Sequence, residues 1–475
     1  MKDKLKEAYN HSSFNKVGHE LIDILTEYLK DSTEGNIPVM NWKEPADQLT
    51  YWQNYKLKNN DPIELFKDII DNSIHIHHPK YMGHQLCAPA PISALTGLLG
   101  ELVNNGMAIY EMGGAASAIE KVIIDLLAKK IGYDKNGDGF ITSGGTIGNL
   151  TSLLAARQNA DESDIWEEGL NENLGVMVSS EAHYSVDRAL RIMGFGSKGI
   201  IKIPVNENFN MKTELLEQYH TKAKKNGIKV IAVVGCAPST STGMYDDLES
   251  IAKFCKQSNL WFHVDGAHGG AAIFSEKYKH LLSGIEHADS VVIDGHKMLM
   301  TPALLTFVMF KQKDVSYSTF SQKAQYLWEK NQDEEWFNLA RRTIECTKLM
   351  MSIKFYAILI THGEEVFDQS VTHLYDLGKE FALKINEMNN FELALEPHSN
   401  IVCFRYTESG MSDDELDMIN SKIRNKVLKD GEFYIVQTTL KDRVYLRTTI
   451  MNPFTNSDVF AELLSEIKKI GASGI

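Results

Sequence analysis

Trp261-Phe-His-Val-Asp265-Gly-Ala-His268-Gly-Gly270 is the stretch that carries the reading of the fold. An apolar run of strand length delivers Asp265 to its C-terminal end, where open α/β sheets bind their ligands, and the small residues that follow leave room for one. The next run of this kind, Ser290-Val-Val-Ile-Asp294-Gly-His296-Lys297, also ends on polar residues. A lysine directly after a buried strand is a candidate nucleophile, because desolvation lowers its pKa and exposes an amine that can form a Schiff base. Upstream, Phe140-Ile-Thr-Ser143-Gly-Gly145-Thr146-Ile-Gly148-Asn149-Leu150 is a glycine-rich turn running into a helix. The unsatisfied N–H groups and the helix dipole at such a turn suit a phosphate.

Around these segments, strand runs are predicted at Gly175–Ser180, Ile200–Val205, Ile228–Val234, Trp261–Asp265, Ser290–Asp294 and Thr306–Phe310. Helical patterns at Ser185–Met193, Leu215–Lys225 and Asp247–Gln257 fall between them. This alternation predicts a mostly parallel, doubly wound sheet. Several strands are apolar throughout, as expected when helices cover both faces. Phe14 to Lys30 has helical apolar spacing, Asn36 to Asn60 reads as an extended arm, and Thr343–His362 reads as a long helical region. The fragments Asn400–Tyr406, Tyr434–Thr439 and Val444–Thr449, beside helices, predict a terminal α+β unit.

A chain of 475 residues is long enough for two or three units at ~150 residues each. With 43% hydrophobic and 24% charged residues it is neither disordered nor collagen-like. The 49 basic and 63 acidic residues leave a net charge of −14 with no basic block, so neither nucleic acid nor an anionic membrane is expected as a partner. The five cysteines (Cys87, Cys236, Cys255, Cys346, Cys403) are scattered without a CxxC pair, the pattern of reduced thiols in a cytoplasmic protein. The N-terminus is too polar for a signal peptide, and no apolar run approaches the ~20 residues of a membrane span.

A phosphate cradle, a strand-end carboxylate and a strand-end lysine on one α/β sheet are the parts a pyridoxal 5'-phosphate (PLP) enzyme needs. The chain resembles the group II PLP-dependent amino-acid decarboxylases, which include glutamate, aspartate, cysteine sulfinate, aromatic amino acid and 2,4-diaminobutyrate enzymes. The matching pieces are His78-Pro-Lys-Tyr, TSGGTIGNLTSLLAAR (142–157), SSEAHYS (179–185), STSTG (239–243), HVDGAHGG (263–270), DGHKM (294–298), ECTK (345–348) and YLRTTIMNP (445–453), in order along nearly the whole chain. The resemblance implies an α/β PLP-dependent transferase fold of type I, like aspartate aminotransferase, with a mostly parallel seven-stranded sheet in a large domain and a small C-terminal α+β domain. The expected division is an N-terminal helical and extended arm at the dimer interface over 1–115, the PLP-binding domain over 116–365 and the small domain over 366–475. A homodimer with its active site at the interface is implied as well.

Position by position, the resemblance makes Lys297 the Schiff-base lysine, Asp265 the carboxylate on the pyridinium nitrogen and His183 the ring stacked on one cofactor face, with Ala267 against the other. Ser143 and Gly144 match the phosphate turn, and His296 is a further contact on that side. Thr240 matches a threonine near the cofactor's phenolic oxygen or carboxylate partner. Arg447 sits where the family's arginine binds the substrate α-carboxylate, and Gln85 lies on a segment that reaches the substrate pocket. Lys297, Asp265 and His183 are the catalytic candidates. The chain departs from the family pattern twice. Asp294 stands where the aromatic branch has Asn, so a direct phosphate role is not carried over to it. The loop Trp328–Arg342 lacks the family's tyrosine proton donor, with Trp336 or Phe337 in the neighbourhood. A group such as His183 must then deliver the proton, or O₂ intercepts the carbanion and an aldehyde forms.

The motifs stand closer to the glutamate, aspartate and cysteine sulfinate branch than to the aromatic one, and the 2,4-diaminobutyrate enzymes share much of the pattern. The expected reaction is α-decarboxylation of an acidic L-amino acid to amine and CO₂. A side-chain carboxylate needs a cation, for which His84, Lys323 and Arg341 are candidates; a diamine needs an acid, Glu111 or Asp294. The groups His263-x-Asp265-x-x-His268 and His75-x-His77-His78 are alternatives as metal sites, but neither is completed at a recognised spacing, so no metal is expected. Asp134-Lys-Asn136-Gly-Asp138-Gly139 opens like a calcium loop but has Gly145 where the bidentate Glu belongs. Cys346 is expected to be a small buried residue under the catalytic loop.

Overall fold

The computed structural model describes residues 1–57, 61–160, 165–320 and 336–473. It divides into two units: Gln85–Lys379 with Leu395–Val402, and Met1–His84 with Glu380–Ala394 and Cys403–Ile475. The first of these is the larger.

The larger unit is built on strands β1 (Asp138–Thr142), β2 (Leu174–Ser179), β3 (Ile200–Ile203), β4 (Lys229–Cys236), β5 (Trp261–Asp265), β6 (Ser290–Asp294) and β7 (Thr306–Phe310). Their order is β1-β7-β6-β5-β4-β2-β3. Neighbours are parallel except at β7, which runs against both β1 and β6. The expected mostly parallel seven-stranded sheet is therefore present. β2, β5, β6 and β7 are buried along their full length, which the Val, Ile and Phe runs require when both faces are covered. Register places Asp265 beside Cys236 and Val292, so β5 and β6 present Asp265 and Asp294 at the same end of the sheet.

The helix Gly145–Gln158 lies deep in this unit, with every residue from Gly148 to Ala156 buried. Its apolar residues go all the way round instead of forming a stripe, the pattern of an internal helix. A Cβ at Gly148 would stand 3.2 Å from side-chain carbons of Thr306 and Val292, so the missing side chain lets the helix close on the sheet. Before it, Gly144 turns at φ 111°, a conformation that other residues rarely adopt.

In the smaller unit, β8 (Phe391–Leu393), β9 (Ile401–Tyr406), β10 (Val436–Leu440) and β11 (Arg443–Thr449) form a sheet in the order β10-β11-β9-β8. The helix Asp413–Asp430 starts on a reciprocal cap between Ser412 and Glu415 and ends at Gly431 in the left-handed region. The segment around Met82 is stitched to this unit: Met82 N–H donates to the Tyr434 carbonyl at 2.9 Å, and Thr449 N–H donates to the Met82 carbonyl at 2.8 Å.

Three expectations change. The presumed extended arm contains a helix, Pro45–Gln53, opened by proline at its first turn. The long helix expected over Thr343–His362 begins only at Ser352, because the side chains of Glu345 and Lys348 are used in tertiary hydrogen bonds to distant chain. Within that irregular stretch Cys346 is exposed, not buried. Among the described residues no helix is long and apolar enough to cross a membrane.

Candidate active site

At the strand ends of the larger unit a cavity of about 260 Å³ is lined by Ser143, Gly144, His183, Thr240, Asp265, Ala267, His296 and Lys297, together with Asn149, Ser185, His268 and Asp294. Eight residues assigned to cofactor binding on resemblance therefore converge on one space. Gln85 is not among the lining residues, and Arg447 belongs to the smaller unit, buried on β11.

Asp265 ends β5 with its Oδ1 accepting from the Ala267 N–H at 3.2 Å and its Oδ2 accepting from Asn149 Nδ2 at 3.0 Å. Asn149 belongs to a longer chain of hydrogen bonds whose direction can be deduced. The Trp261 indole N–H can only donate, and it donates to Ser290 Oγ at 2.9 Å. Ser290 then donates to His263 Nδ1 (2.9 Å), and His263 Nε2–H donates to Asn149 Oδ1 (3.0 Å). The Asn149 amide sends one hydrogen to Asp265 and the other to Ser185 Oγ (3.0 Å). Ser185 donates to His183 Nδ1 at 2.7 Å, and the Ser185 backbone N–H points at the same nitrogen (3.3 Å). A nitrogen that accepts from a backbone N–H carries no proton, so neutral His183 holds its hydrogen on Nε2. Burial pushes His183 below its ordinary pKa; Lys297 and Arg188 work the same way, while Asp265 and Asp294 oppose them. Burial also pushes His263 down to about 4, which keeps that link neutral.

Lys297 sits three residues past the end of β6, with Nζ 3.0 Å from Asp294 Oδ2. The Asp294 carboxylate also accepts from Thr306 Oγ1 at 2.5 Å and lies 3.6 Å from His296 Nε2. Burial works to raise the Asp294 carboxyl, but the charges of Lys297 and His296 and the bonds from Thr306 and Lys297 outweigh it and hold the group below the ordinary carboxylate range. At the turn, Ser143 Oγ donates to Glu345 Oε1 and Thr142 Oγ1 to Glu345 Oε2, both at 2.5 Å. The N–H groups of Gly145 and Thr146, first in their helix, have no intrahelical acceptor.

Over residues 53–407 the chain matches the pyridoxal-dependent decarboxylase conserved domain. It belongs to that family. As a PLP-dependent amino-acid decarboxylase it is 29% identical over 420 residues to the L-2,4-diaminobutyrate decarboxylase of Acinetobacter baumannii, covering 85% of this chain and 82% of that protein. It is 26% identical over 479 residues to an acidic amino acid decarboxylase of Mus musculus, covering 96% of this chain and 86% of that protein. The crystal structure of mouse CSAD superposes with a TM-score of 0.91 at 22% identity over 97% of this chain and 99% of that one, a likeness of fold. The decarboxylase's cavity fits PLP: a helix start for the phosphate, a lysine amine, and a buried carboxylate whose second oxygen is held by a neutral amide.

Sequence reasoning missed Asn149 and Ser185. The signal was present, since a polar residue at a helical position flanked by apolar ones on every side is buried only when hydrogen-bonded. The candidates for reading a substrate side chain fall apart from one another. Glu111 is exposed, Asp294 is paired with Lys297, Arg341 is half-buried in a short helical turn, and Lys323 lies outside the described residues. So does the loop segment 328–335, while Phe337 packs its ring on Tyr110 at 5.5 Å. In the smaller unit the ring of His84 lies 5.7 Å from that of Tyr434. Burial lowers the His84 pKa, and the charges of Arg447 and Arg424 lower it further. The same two arginines oppose the upward push of burial on Tyr434. Arg424, unremarked in the sequence, is thus part of a cationic cluster, with its Nε buried and without a hydrogen-bond partner among the described groups. Neither expected metal alternative is assembled. Both ring nitrogens of His75 are bonded to backbone carbonyls, of Pro38 (2.8 Å) and Ile70 (3.0 Å). Among the described residues no three His, Cys, Asp or Glu side chains are grouped to hold a metal ion.

Proposed function

We propose that this decarboxylase acts on an acidic L-amino acid, glutamate, aspartate or cysteine sulfinate, releasing CO₂ and the corresponding amine. The reading rests above all on the distribution of charge. Asp294, an acid that could greet a substrate ammonium, lies instead against the turn at Gly145 and is bonded by Thr306, and Glu111 is exposed. In the smaller unit, Arg447 and Arg424 meanwhile place positive charge beside Tyr434 and the neutral His84 ring. By the resemblance, Arg447 is assigned the α-carboxylate and Gln85 the border of the substrate.

Bound PLP supplies the electron sink that accepts the pair left by the departing carboxylate. Lys297 would provide the amine that holds the cofactor. Asp265 would face the ring nitrogen, its carboxylate oriented by Asn149 and the Ala267 N–H. The Gly145 and Thr146 N–H groups would take the phosphate with Ser143, Gly144 and His296, and Thr240 and Ala267, which line the same cavity, would border the ring. His183 would cover the other face; its bonds at Nδ1 aim the Nε2–H, and it would have to gain a proton before it could deliver one. The exposed leucines 95, 98, 99 and 102 on the helix Pro91–Val103 support a homodimer, with residues 1–115 as the interface arm. The five scattered cysteines, without a CxxC pair, support the cytoplasm.

The test is a product assay: purified protein with PLP against glutamate, aspartate, cysteine sulfinate, 2,4-diaminobutyrate and an aromatic amino acid, following CO₂, amine, aldehyde and peroxide. Amine and CO₂ from an acidic substrate is the expected result. Turnover of 2,4-diaminobutyrate alone would replace the acidic reading with the second one, which the identity to the Acinetobacter baumannii enzyme favours. Aldehyde with peroxide would mean that His183 does not deliver its proton before O₂ arrives.

A further inference from the structure

We propose that Asp294 makes cofactor loading proton-coupled: the phosphate enters beside a charged carboxylate, and the pair takes up and shares one proton from solvent. The placement of Asp294 carries this. A Cβ at Gly145 would stand 3.1 Å from Asp294 Oδ2 and 3.2 Å from Oδ1, so the carboxylate lies directly against the turn that opens the helix Gly145–Gln158. It lines the same cavity as Ser143, Gly144 and Thr146. It is buried, 2% exposed, and so largely unscreened by water. The inference rests on the assignment of that turn to the phosphate.

The titratable groups facing Asp294 are Lys297 and His296, on the segment that follows β6, and His183, at the start of the helix Tyr184–Ile192. Thr306 from β7 and Gly145 are the neutral neighbours. In the cofactor-free chain the Lys297 ammonium, 3.0 Å away, balances the Asp294 charge. Loading draws the Lys297 nitrogen toward the cofactor and brings in a phosphate monoester, which near pH 8 is a dianion because its second pKa is about 6. Two like-charged groups in one buried site cannot both stay fully ionised; one of them binds a proton. The balance is simple: one proton leaves the solvent and sits between an Asp294 oxygen and a phosphate oxygen, and no bond to carbon changes. An Asn at 294 would donate its amide hydrogen to the dianion and need no proton.

Calorimetric titration of the cofactor-free, full-length chain in buffers of different ionisation enthalpy counts the protons taken up. Expected at pH 8 is on the order of one proton per PLP and near zero for pyridoxal. Pyridoxal has the same aldehyde without the phosphate, so any proton exchanged at Lys297 appears with both ligands and cancels. Above about pH 7 the Kd for PLP should weaken roughly tenfold per pH unit, and Asp294→Asn should flatten that slope and abolish the uptake. The ³¹P resonance of the bound cofactor should stay at the monoanion position through pH 8. Equal uptake with PLP and pyridoxal, or an unchanged slope in Asp294→Asn, overturns the proposal; the first comparison uses only the native chain and stands even if the variant does not fold. Pyridoxal binding as tightly as PLP would instead overturn the phosphate assignment, and the proposal with it.

Discussion

Among the described residues the larger unit holds two buried lysine–carboxylate pairs, and they differ in how completely each is closed. Lys348 Nζ lies 2.6 Å from Glu120 Oε1, with both side chains 2% exposed, and it also donates to the Ile141 carbonyl while Glu120 accepts from the Ile141 N–H at 2.9 Å. Both charged groups are tied to each other and to Ile141 of β1, through Lys348 Nζ and Glu120 Oε1, while Glu120 Oε2 is buried without a hydrogen-bond partner among the described groups. Lys297 has one carboxylate at 3.0 Å, remains 15% exposed and faces a cavity. A closed pair serves the fold, whereas a pair open on one side keeps an amine within reach of a ligand. Burial pulls the Lys348 pKa down and Glu120 pulls it back, which leaves a charge that is expensive to separate from its partner.

Substitution should separate the two pairs by opposite symptoms. Lys297→Ala is expected to reduce turnover by at least ~10⁴, the upper range for losing one proton-transfer group, and to remove the visible absorbance of bound cofactor. Its melting temperature should change little, because Asp294 keeps Thr306 and His296 and the cavity admits water. Lys348→Met should do the reverse: it leaves Glu120 charged and alone at a cost of about 3–5 kcal/mol in chemical unfolding, while the folded fraction retains its cofactor spectrum. Adding Glu120→Gln, which still accepts from the Ile141 N–H, should restore most of that loss. If Lys348→Met proves silent in stability and dead in turnover, the division between closed and open pairs is wrong.

Little of this contrast was visible in the sequence. DGHK and ECTK both end in lysine near apolar segments, and only the first directly follows a strand that could be read from its Val and Ile run. β5, β6 and β7 were read residue for residue, because an apolar run bounded by polar residues states its own length. Asp265 and Lys297 were legible for the same reason. Their partners were not. Asn149 reaches Asp265 across 116 positions and Lys348 reaches Glu120 across 228, separations at which no local pattern constrains a contact. The over-long helix drawn across Thr343–His362 failed because tertiary bonds at Glu345 and Lys348 outweighed local propensity.

The hydrogen-bond chain through His263 sharpens the contrast by pH. It is closed like the Lys348 pair but built from neutral groups, so acid should reach it first. Burial pushes His263 down to about 4, below the unfolded value near 6.5. A base with a depressed native pKa contributes stability that is complete above about pH 6.5 and is lost as pH falls toward 4. A difference of this size corresponds to about 3 kcal/mol. Urea unfolding followed between pH 7 and 4 should show this decline, and His263→Gln, which takes up no proton in that window, should remove that part of it. An unchanged slope in the variant would place the acid sensitivity elsewhere.

The smallest expected effect tests how rigidly the open pair is held. Gly145 sits at the start of its helix without a positive φ, so alanine there gains roughly 0.5–1 kcal/mol from helix propensity and a less flexible unfolded chain. Against this, the new Cβ would meet Asp294 Oδ2 at 3.1 Å and Ala267 Cβ at 3.4 Å. The carboxylate has little room to yield, because Thr306 holds its other oxygen at 2.5 Å and Lys297 holds the near one at 3.0 Å. Gly145→Ala should therefore leave unfolding free energy within ~1 kcal/mol of the parent, while PLP affinity drops by about tenfold, since a few tenths of an ångström at the turn spoil the aim of the Gly145 and Thr146 N–H groups. A Gly145→Ala chain that is more stable and loads PLP normally would mean that Asp294 does yield, and that the Lys297 pair is loose in its partner as well as open to the cavity.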